Sequence, residues 1–248
     1  MFTRGLLACV AALLLWLPCR AEEIVLLGAD SLLPISWKDG SLARGYGVEA
    51  AAEALTRAGF TVRIKLTPWA RAVAEAELGG AVINQFSRTS ERERTFLFSK
   101  PIFVDRVVVV VRKGKEFPFE SVNDLAGKTV GVLRGADYGA QWDAAQSIFR
   151  REEDSHAESR LKKLLRDRID AAIISAGPAG LRLAAARAGV DPSAFSVLPT
   201  PLRVESNCLA IAKGPGSEDK VERINAAIEA MNRDGALAKI VARYAEQL

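Results

Sequence analysis

Five consecutive valines, Val107–Val111, lie within DRVVVVVRKG (105–114) near the middle of the chain. β-Branched side chains have restricted χ1 rotamers and pack well on a pleated surface. A run with no polar alternation is buried on both faces, as in a central strand of a sheet covered by helices on each side. The flanking sequence supplies the other layers. EIVLLG (23–28) reads as a buried strand. Val48, Ala51, Ala52 and Leu55 then repeat at helical spacing up to Gly59. TVRIKL (61–66) alternates like a strand, WARAVAEAELGG (69–80) is helical up to its glycine pair, and AVINQF (81–86) is a further strand.

The second half uses the same pattern. DLAGKTVGVLRG predicts a short helix and a strand stopping at Gly135. Residues 137–149 predict a helix with Tyr138, Trp142, Ala145 and Phe149 on its apolar side. RIDAAIIS is a strand, GPAGLRLAAARAG a helix with Pro178 in its first turn, and RVESNCLAIAKG another strand. Two helices close the chain. Val221, Ile224, Ile228 and Met231 line the first, and Leu237, Ile240, Val241 and Tyr244 the second. Strands alternating with helices predict an α/β protein with parallel sheets and helices on both faces. With no repeat and no low-complexity linker, two α/β units imply lobes joined by strands that pass between them. DRVVVVV and VESNCLAIA are the candidate crossings.

The N-terminus is a separate segment. MFTR is basic, GLLACVAALLLWLP is apolar, and a small residue, Ala21, precedes Glu22. This is the layout of a secretory signal peptide over residues 1–21, and the apolar run is shorter than the roughly 20 residues of a membrane anchor. Lipidation of Cys19 is the alternative. Loss of Arg4 and Arg20 with the leader lowers the formal net charge from +4 to +2, a balance that does not call for nucleic acid. RLKKLLRDR (160–168) places leucines on one helical face and charges on the other, a solvated amphipathic helix. Cys208 alone remains in the mature chain, so neither a disulfide nor a cysteine metal cluster is expected. A lone His156 in a polar stretch makes a hydrolytic triad or a zinc site a poor fit, so no metal and no cofactor are expected. Export without disulfides points to a bacterial periplasm.

INQFSRTSERERTFLFSKPI (83–102) packs Arg88, Glu91, Arg92, Glu93 and Arg94 between two apolar runs. Ser90 followed by Glu93 is a capping-box pattern, which assigns Glu93 to a helix start. A guanidinium matches a carboxylate with two parallel hydrogen bonds, so one of these arginines is a candidate anion grip and the others are solvated.

Taken in order, PISWKDG, GVEAAAEAL, TPWARA, RTSERERTFLFSKPI, VNDLAGKTVGVLRG and LLRDRIDAAI resemble the family 3 bacterial extracellular solute-binding proteins over residues 22–248. The most specific blocks are TSERERTFLFSKP and LAGKTVGV. The resemblance implies a type II periplasmic binding fold, two α/β lobes joined by a two-strand hinge. Residues 22–104 with 207–248 would form lobe one and 105–206 lobe two. It also implies a monomeric receptor that captures a small carboxylate-bearing solute, an amino acid or a relative, for the permease of an ABC importer.

By the same resemblance Arg92 grips the ligand carboxylate and Ser87 supplies a hydroxyl to it. Gln85 falls where backbone meets the ligand, and Trp69 and Trp37 match aromatic positions along its aliphatic part. Asp30 resembles an acidic residue for the amino group, although Ala29 occupies the strict spacing. The second lobe departs from the family. Ala176 stands where an aspartate binds the amino group and Ala136 where a threonine is usual, leaving Asp137 and Tyr138 as substitutes. REEDSHAESR (151–160) lacks the extra strand expected there. Two other functions share this scaffold. One is a periplasmic dehydratase of the cyclohexadienyl type using Glu205 or Asp137 as general acid, and the other is a trans-acting ligand sensor for a membrane signalling protein.

Overall fold

The computed structural model describes residues 21–246; the expected leader, with Cys9 and Cys19, lies outside the described residues apart from Ala21. In chain order the first elements are β1 (Glu22–Ala29), β2 (Ser31–Leu32), β3 (Ser36–Asp39), β4 (Leu42–Arg44), α1 (Tyr46–Arg57) and β5 (Phe60–Thr67). They are followed by α2 (Trp69–Glu77), β6 (Ala81–Ser87), α3 (Arg92–Thr95) and the 17-residue strand β7 (Phe96–Arg112). Then come β8 (Thr129–Leu133), α4 (Ala140–Ala144), β9 (Arg150–Asp154), α5 (Ala157–Leu165), β10 (Ala171–Ile174) and α6 (Gly177–Ala188). The chain ends with β11 (Phe195–Val197), β12 (Arg203–Ala212), α7 (Ser217–Arg233) and α8 (Ala236–Glu246).

Hydrogen bonding connects the strands in the order β5-β1-β6-β12-β7-β10-β8-β9, with β11 also on β7, while β2, β3 and β4 form a small separate sheet. β1 is parallel to β5 and β6, and β8 is parallel to β9 and β10. The two long strands differ from the parallel expectation. β12 runs antiparallel to both β6 and β7, and β7 antiparallel to β10. Because β7 belongs to both halves, it carries the chain from one α/β lobe into the other, and β12 carries it back.

The burial pattern explains the layers. Along β7, Val107, Val109 and Val111 face a core built with Val130, Trp142 and Phe149. Val108 and Val110 face the opposite core, built with Leu161, Leu164 and Leu181 of α5 and α6. In the other lobe the alternation of β1 does the same. Ile24 and Leu26 pack with residues of α1, α7 and α8, and Leu27 and Ala29 pack with residues of α2 and β6. At about 25 cal/mol per Å² of apolar surface, burying each of these aliphatic side chains contributes on the order of 2 kcal/mol. Cys208 is one of these buried apolar residues, as its strand context predicts.

Three local expectations need correction. The segment around REEDSHAESR does contain the extra strand: β9 pairs in parallel with β8, from Thr129↔Arg150 to Leu133↔Asp154. An edge strand has one neighbour and can carry charge on its flanks; Glu152 and Asp154 pair with Lys163, and Asp154 also with Arg160. The helix expected over 137–149 is confined to α4, with turns on either side. Tyr138, Trp142 and Phe149 nevertheless stack in series, their ring centroids 4.8 and 4.6 Å apart. The Ser90/Glu93 capping box does not form. Glu91 occupies the cap of α3 without a side-chain bond, the Arg92 N–H points at the Thr89 hydroxyl at 3.4 Å, and Glu93 pairs with Arg88 at 3.5 Å.

Candidate functional site

Between the lobes, the end of β6, the turn leading into α3 and the crossing strand β12 face the loop after β8 and the end of β10. They enclose a cavity of about 40 Å³, room for about three water molecules. Trp69, Gln85, Ser87 and Arg92 line it from the first lobe, and Asp137 and Tyr138 from the second. Trp37 and Asp30 do not. Trp37 lies on β3 with its ring edge-on to Tyr244, centroids 6.0 Å apart. Asp30 follows β1, its backbone bonded to Thr67 and Lys38, with Oδ1 buried and unpartnered.

Arg92 sits where β6 ends and the chain turns into α3. Its guanidinium lies over the Phe86 ring, 4.0 Å from the centroid, and Nη1 donates to the Ser87 carbonyl at 3.1 Å. Burial weakens its hold on the proton, and the charges of Asp137 and Glu205 counter that effect. Ser87 is buried and Trp69 packs at the start of α2, its indole N–H donating across the cleft to the Gly135 carbonyl at 3.1 Å. Gln85 is 5% exposed, with φ 61, a left-handed conformation that is uncommon for a residue bearing a side chain. Its backbone N–H donates to Asn84 Oδ1, while both polar atoms of its side chain have no partner.

The opposing wall differs. Asp137 Oδ1 accepts from the Gly139 N–H at 2.7 Å, and the Tyr138 hydroxyl accepts from the Leu133 N–H at 3.1 Å. Burial pushes the Tyr138 hydroxyl up from its ordinary value. Ala176 adopts φ 59 and gives its N–H to Asp105 Oδ1 at 2.7 Å, so the loop before α6 is tied to the crossing strand β7. Burial raises the Asp105 carboxyl to about 7, with the Ala176 N–H pulling it back.

The floor of the cavity comes from β12. Asn207 and Glu205 line it, and Ser175, Leu32, Val107 and Leu133 complete the walls. Glu205 is raised by burial and lowered by Arg203, the Ser87 hydroxyl and Arg92. Apart from Glu205, named above only as a possible acid, these residues escaped the sequence reading. The available signal was RVESN, where Arg203, Glu205 and Asn207 at every second position of a strand put three polar groups on one face. His156 is exposed, away from the cavity lining. Among the described residues no cluster of three or more His, Cys, Asp or Glu side chains could hold a metal ion.

The model of the bacterial extracellular solute-binding proteins, family 3, matches residues 24–247. The chain belongs to this family. It is a solute-binding protein of the kind that serves ABC importers. It is 29% identical over 240 residues to the L-cystine-binding protein TcyJ of Escherichia coli, covering 91% of this chain and 84% of the relative. It is 23% identical to the probable amino-acid-binding protein YxeM of Bacillus subtilis, covering 85% of this chain and 79% of that one. Among solved structures, an ancestral arginine-binding protein bound to arginine superposes with a TM-score of 0.76 at 22% identity, covering 90% of this chain and 97% of the other. A mutant of ArgBP from T. maritima gives the same TM-score and identity, with 90% and 95% coverage. These neighbours establish the type II two-lobe fold.

Proposed function

We propose that this solute-binding protein captures a small carboxylate-bearing solute, an amino acid or close relative, between its lobes and releases it to an ABC permease in the inner membrane. It acts in the periplasm, as a monomer, after loss of residues 1–21. Residues 22–104 with 207–248 form one lobe and 105–206 the other. The observation that carries the ligand class is Arg92. Its guanidinium is largely buried at the cleft, with no carboxylate at ion-pair distance among the described residues and one N–H committed to a carbonyl. Charge-assisted hydrogen bonds to a bound carboxylate contribute about 1.5–3 kcal/mol each. The amino-acid and cystine receptors among the relatives support the same class.

The test is calorimetry on ligand-stripped protein against a panel of amino acids and organic acids, followed by Arg92→Ala with the best binder. The substitution is expected to weaken binding by about a hundredfold or more. Equal affinity in the variant removes Arg92 from the site.

A second reading, a dehydratase working in the same cleft, has one observation in its favour: Glu205 is a buried carboxyl whose proton affinity is raised, as a general acid requires. Turnover of a cyclohexadienyl acid that is lost in Glu205→Gln would establish it, and no turnover leaves the receptor reading in place.

A further inference from the structure

Four carboxylates stand in or beside the cleft, and their bonding separates them. Asp30 is outside the cavity lining. Asp105 accepts from the Ala176 N–H and Asp137 from the Gly139 N–H. Glu205 is different. It lies on β12 directly opposite Asp105 of β7, on the same face of the ribbon, and its side chain is 13% exposed. Its Oε2 is buried without a hydrogen-bond partner; Arg203 Nε stands 3.2 Å away but is not aligned to donate to it. Gln85, 5% exposed, and Asn207, 3% exposed, line the same cavity, with both amide atoms of Gln85 and Nδ2 of Asn207 also unpartnered.

Buried polar groups are nearly always paired, and a buried charge is the most costly to leave alone. Glu205 has Arg203 and the Ser87 hydroxyl beside it, but its Oε2, both amide atoms of Gln85 and Nδ2 of Asn207 keep unused hydrogen-bonding capacity around one cavity, which defines a polar subsite open to a ligand. Its charge follows from the neighbours. If Arg92 holds a ligand carboxylate, then that carboxylate, Asp137 and Glu205 stand at the cleft against Arg92 and Arg203, with Asp105, which burial keeps protonated up to about 7, adding little further charge. A bound cation corrects the imbalance, and an ammonium group brings three donors to the free acceptors of Glu205 and Gln85.

We propose that Glu205, on the hinge strand β12, is the ammonium acceptor of the site and with the Gln85 amide selects zwitterionic amino acids over other carboxylates. This inference rests on the carboxylate-receptor reading above and adds the second half of the ligand.

The test compares the standard L-α-amino acids with their matching 2-hydroxy acids, in wild type, Glu205→Gln and Arg92→Ala, by calorimetry on ligand-stripped mature protein. Wild type is expected to prefer the amino acid. Glu205→Gln should weaken its binding by about ten- to a hundredfold and leave the 2-hydroxy acid unchanged. Arg92→Ala should weaken both. Three results overturn the proposal: no preference in wild type, unchanged amino-acid affinity in Glu205→Gln, or equal losses for both ligands. If both ligands bind wild type and Arg92→Ala equally well, the carboxylate reading fails separately. If neither binds wild type, both readings fall. Should Glu205→Gln not fold, Gln85→Leu removes the facing amide while keeping its bulk, and must weaken the amino acid more than the hydroxy acid.

Discussion

The indole N–H of Trp69, at the start of α2 in one lobe, donates to the carbonyl of Gly135, in the turn after β8 in the other, over 3.1 Å. Two further bonds span the lobes: the Ser31 hydroxyl to the Ser155 carbonyl at 2.8 Å, and Arg187 to the Lys38 carbonyl at 3.0 Å. The structure is therefore a closed form held by contacts at the rim of its cleft. A ligand that binds only the closed form gains from each such latch. Trp69→Phe keeps an aromatic ring and deletes the donor, so solute affinity is expected to fall about fivefold, mostly through faster release. Stopped-flow release kinetics read this directly, and an unchanged release rate would refute the latch.

Gly135 provides an independent probe of closure. A Cβ there would lie 3.0 Å from Ala70 Cβ and 3.2 Å from Ala70 Cα, on an element of the facing lobe, and its φ of 75 is strained for any side chain. Gly135→Ala is expected to cost about 1–2 kcal/mol of local strain in both forms and, beyond that, to hold the lobes apart. Small-angle scattering with saturating solute should show a larger radius of gyration than for wild type. Identical closed dimensions would show that Ala70 yields.

Arg92→Lys separates charge from geometry. Lysine keeps the cation, but its ammonium cannot fork onto a carboxylate or lie flat over Phe86 as the guanidinium does. We expect carboxylate affinity to fall about tenfold or more, with chemical denaturation showing a much smaller loss of stability. Wild-type affinity in this variant would make Arg92 a long-range charge only.

Asp105 imposes a pH dependence. Its carboxyl is pushed from 3.8 to about 7 in the folded protein, chiefly by burial, so between those values the folded state holds a proton that the unfolded chain has released. This contribution is full below the lower value and is lost as pH rises to the upper one, by at most about 1.4 kcal/mol per pH unit. Asp105→Asn keeps an oxygen to accept from the Ala176 N–H and cannot titrate. Denaturation at about pH 4.5 and about pH 7.5 should therefore show a shallower fall for the variant than for wild type. Parallel profiles would reject this assignment.

Trp142 is buried between Tyr138 and Phe149 under α4. Trp142→Ala is expected to cost about 3–5 kcal/mol of stability. The loss should also loosen Tyr138, and with it the bond from the Leu133 N–H that shapes the cleft wall. A change below about 1 kcal/mol in denaturant unfolding would mean the segment repacks.

Much of the fold was legible because hydrophobic period is a local property. The valines of β7, the buried apolar run of β1, the alternation of β5 and the helical stripes of α1, α7 and α8 all form where the pattern puts them. The failures are equally physical. The charged sequence of β9 looked unlike a strand because an edge position relaxes the demand for apolar residues. The apolar stripe over 137–149 reflects a packed turn, whose aromatic residues meet without a continuous helix. At the site, Arg92, Ser87 and Gln85 lie within a short stretch of β6 and α3 and could be read together. Glu205 and Asn207 come from the far end of the chain. They meet Ser87 only through the pairing of β12 with β6, Asn207 opposite Ser87, which no local pattern encodes.

The position of β12 also sets an order of assembly. It lies between β6 and β7, so an interior strand of the first sheet leaves the ribosome late, followed among the described residues by α7 and α8. The segment from β7 to β11 is contiguous and can build its core while the remainder is still being made. The half that carries Arg92 must wait with an open slot between two strands until the end of the chain arrives. A nascent protein of this topology keeps its first lobe incomplete until β12 has been made, so that lobe cannot reach its final stability while the chain is still growing.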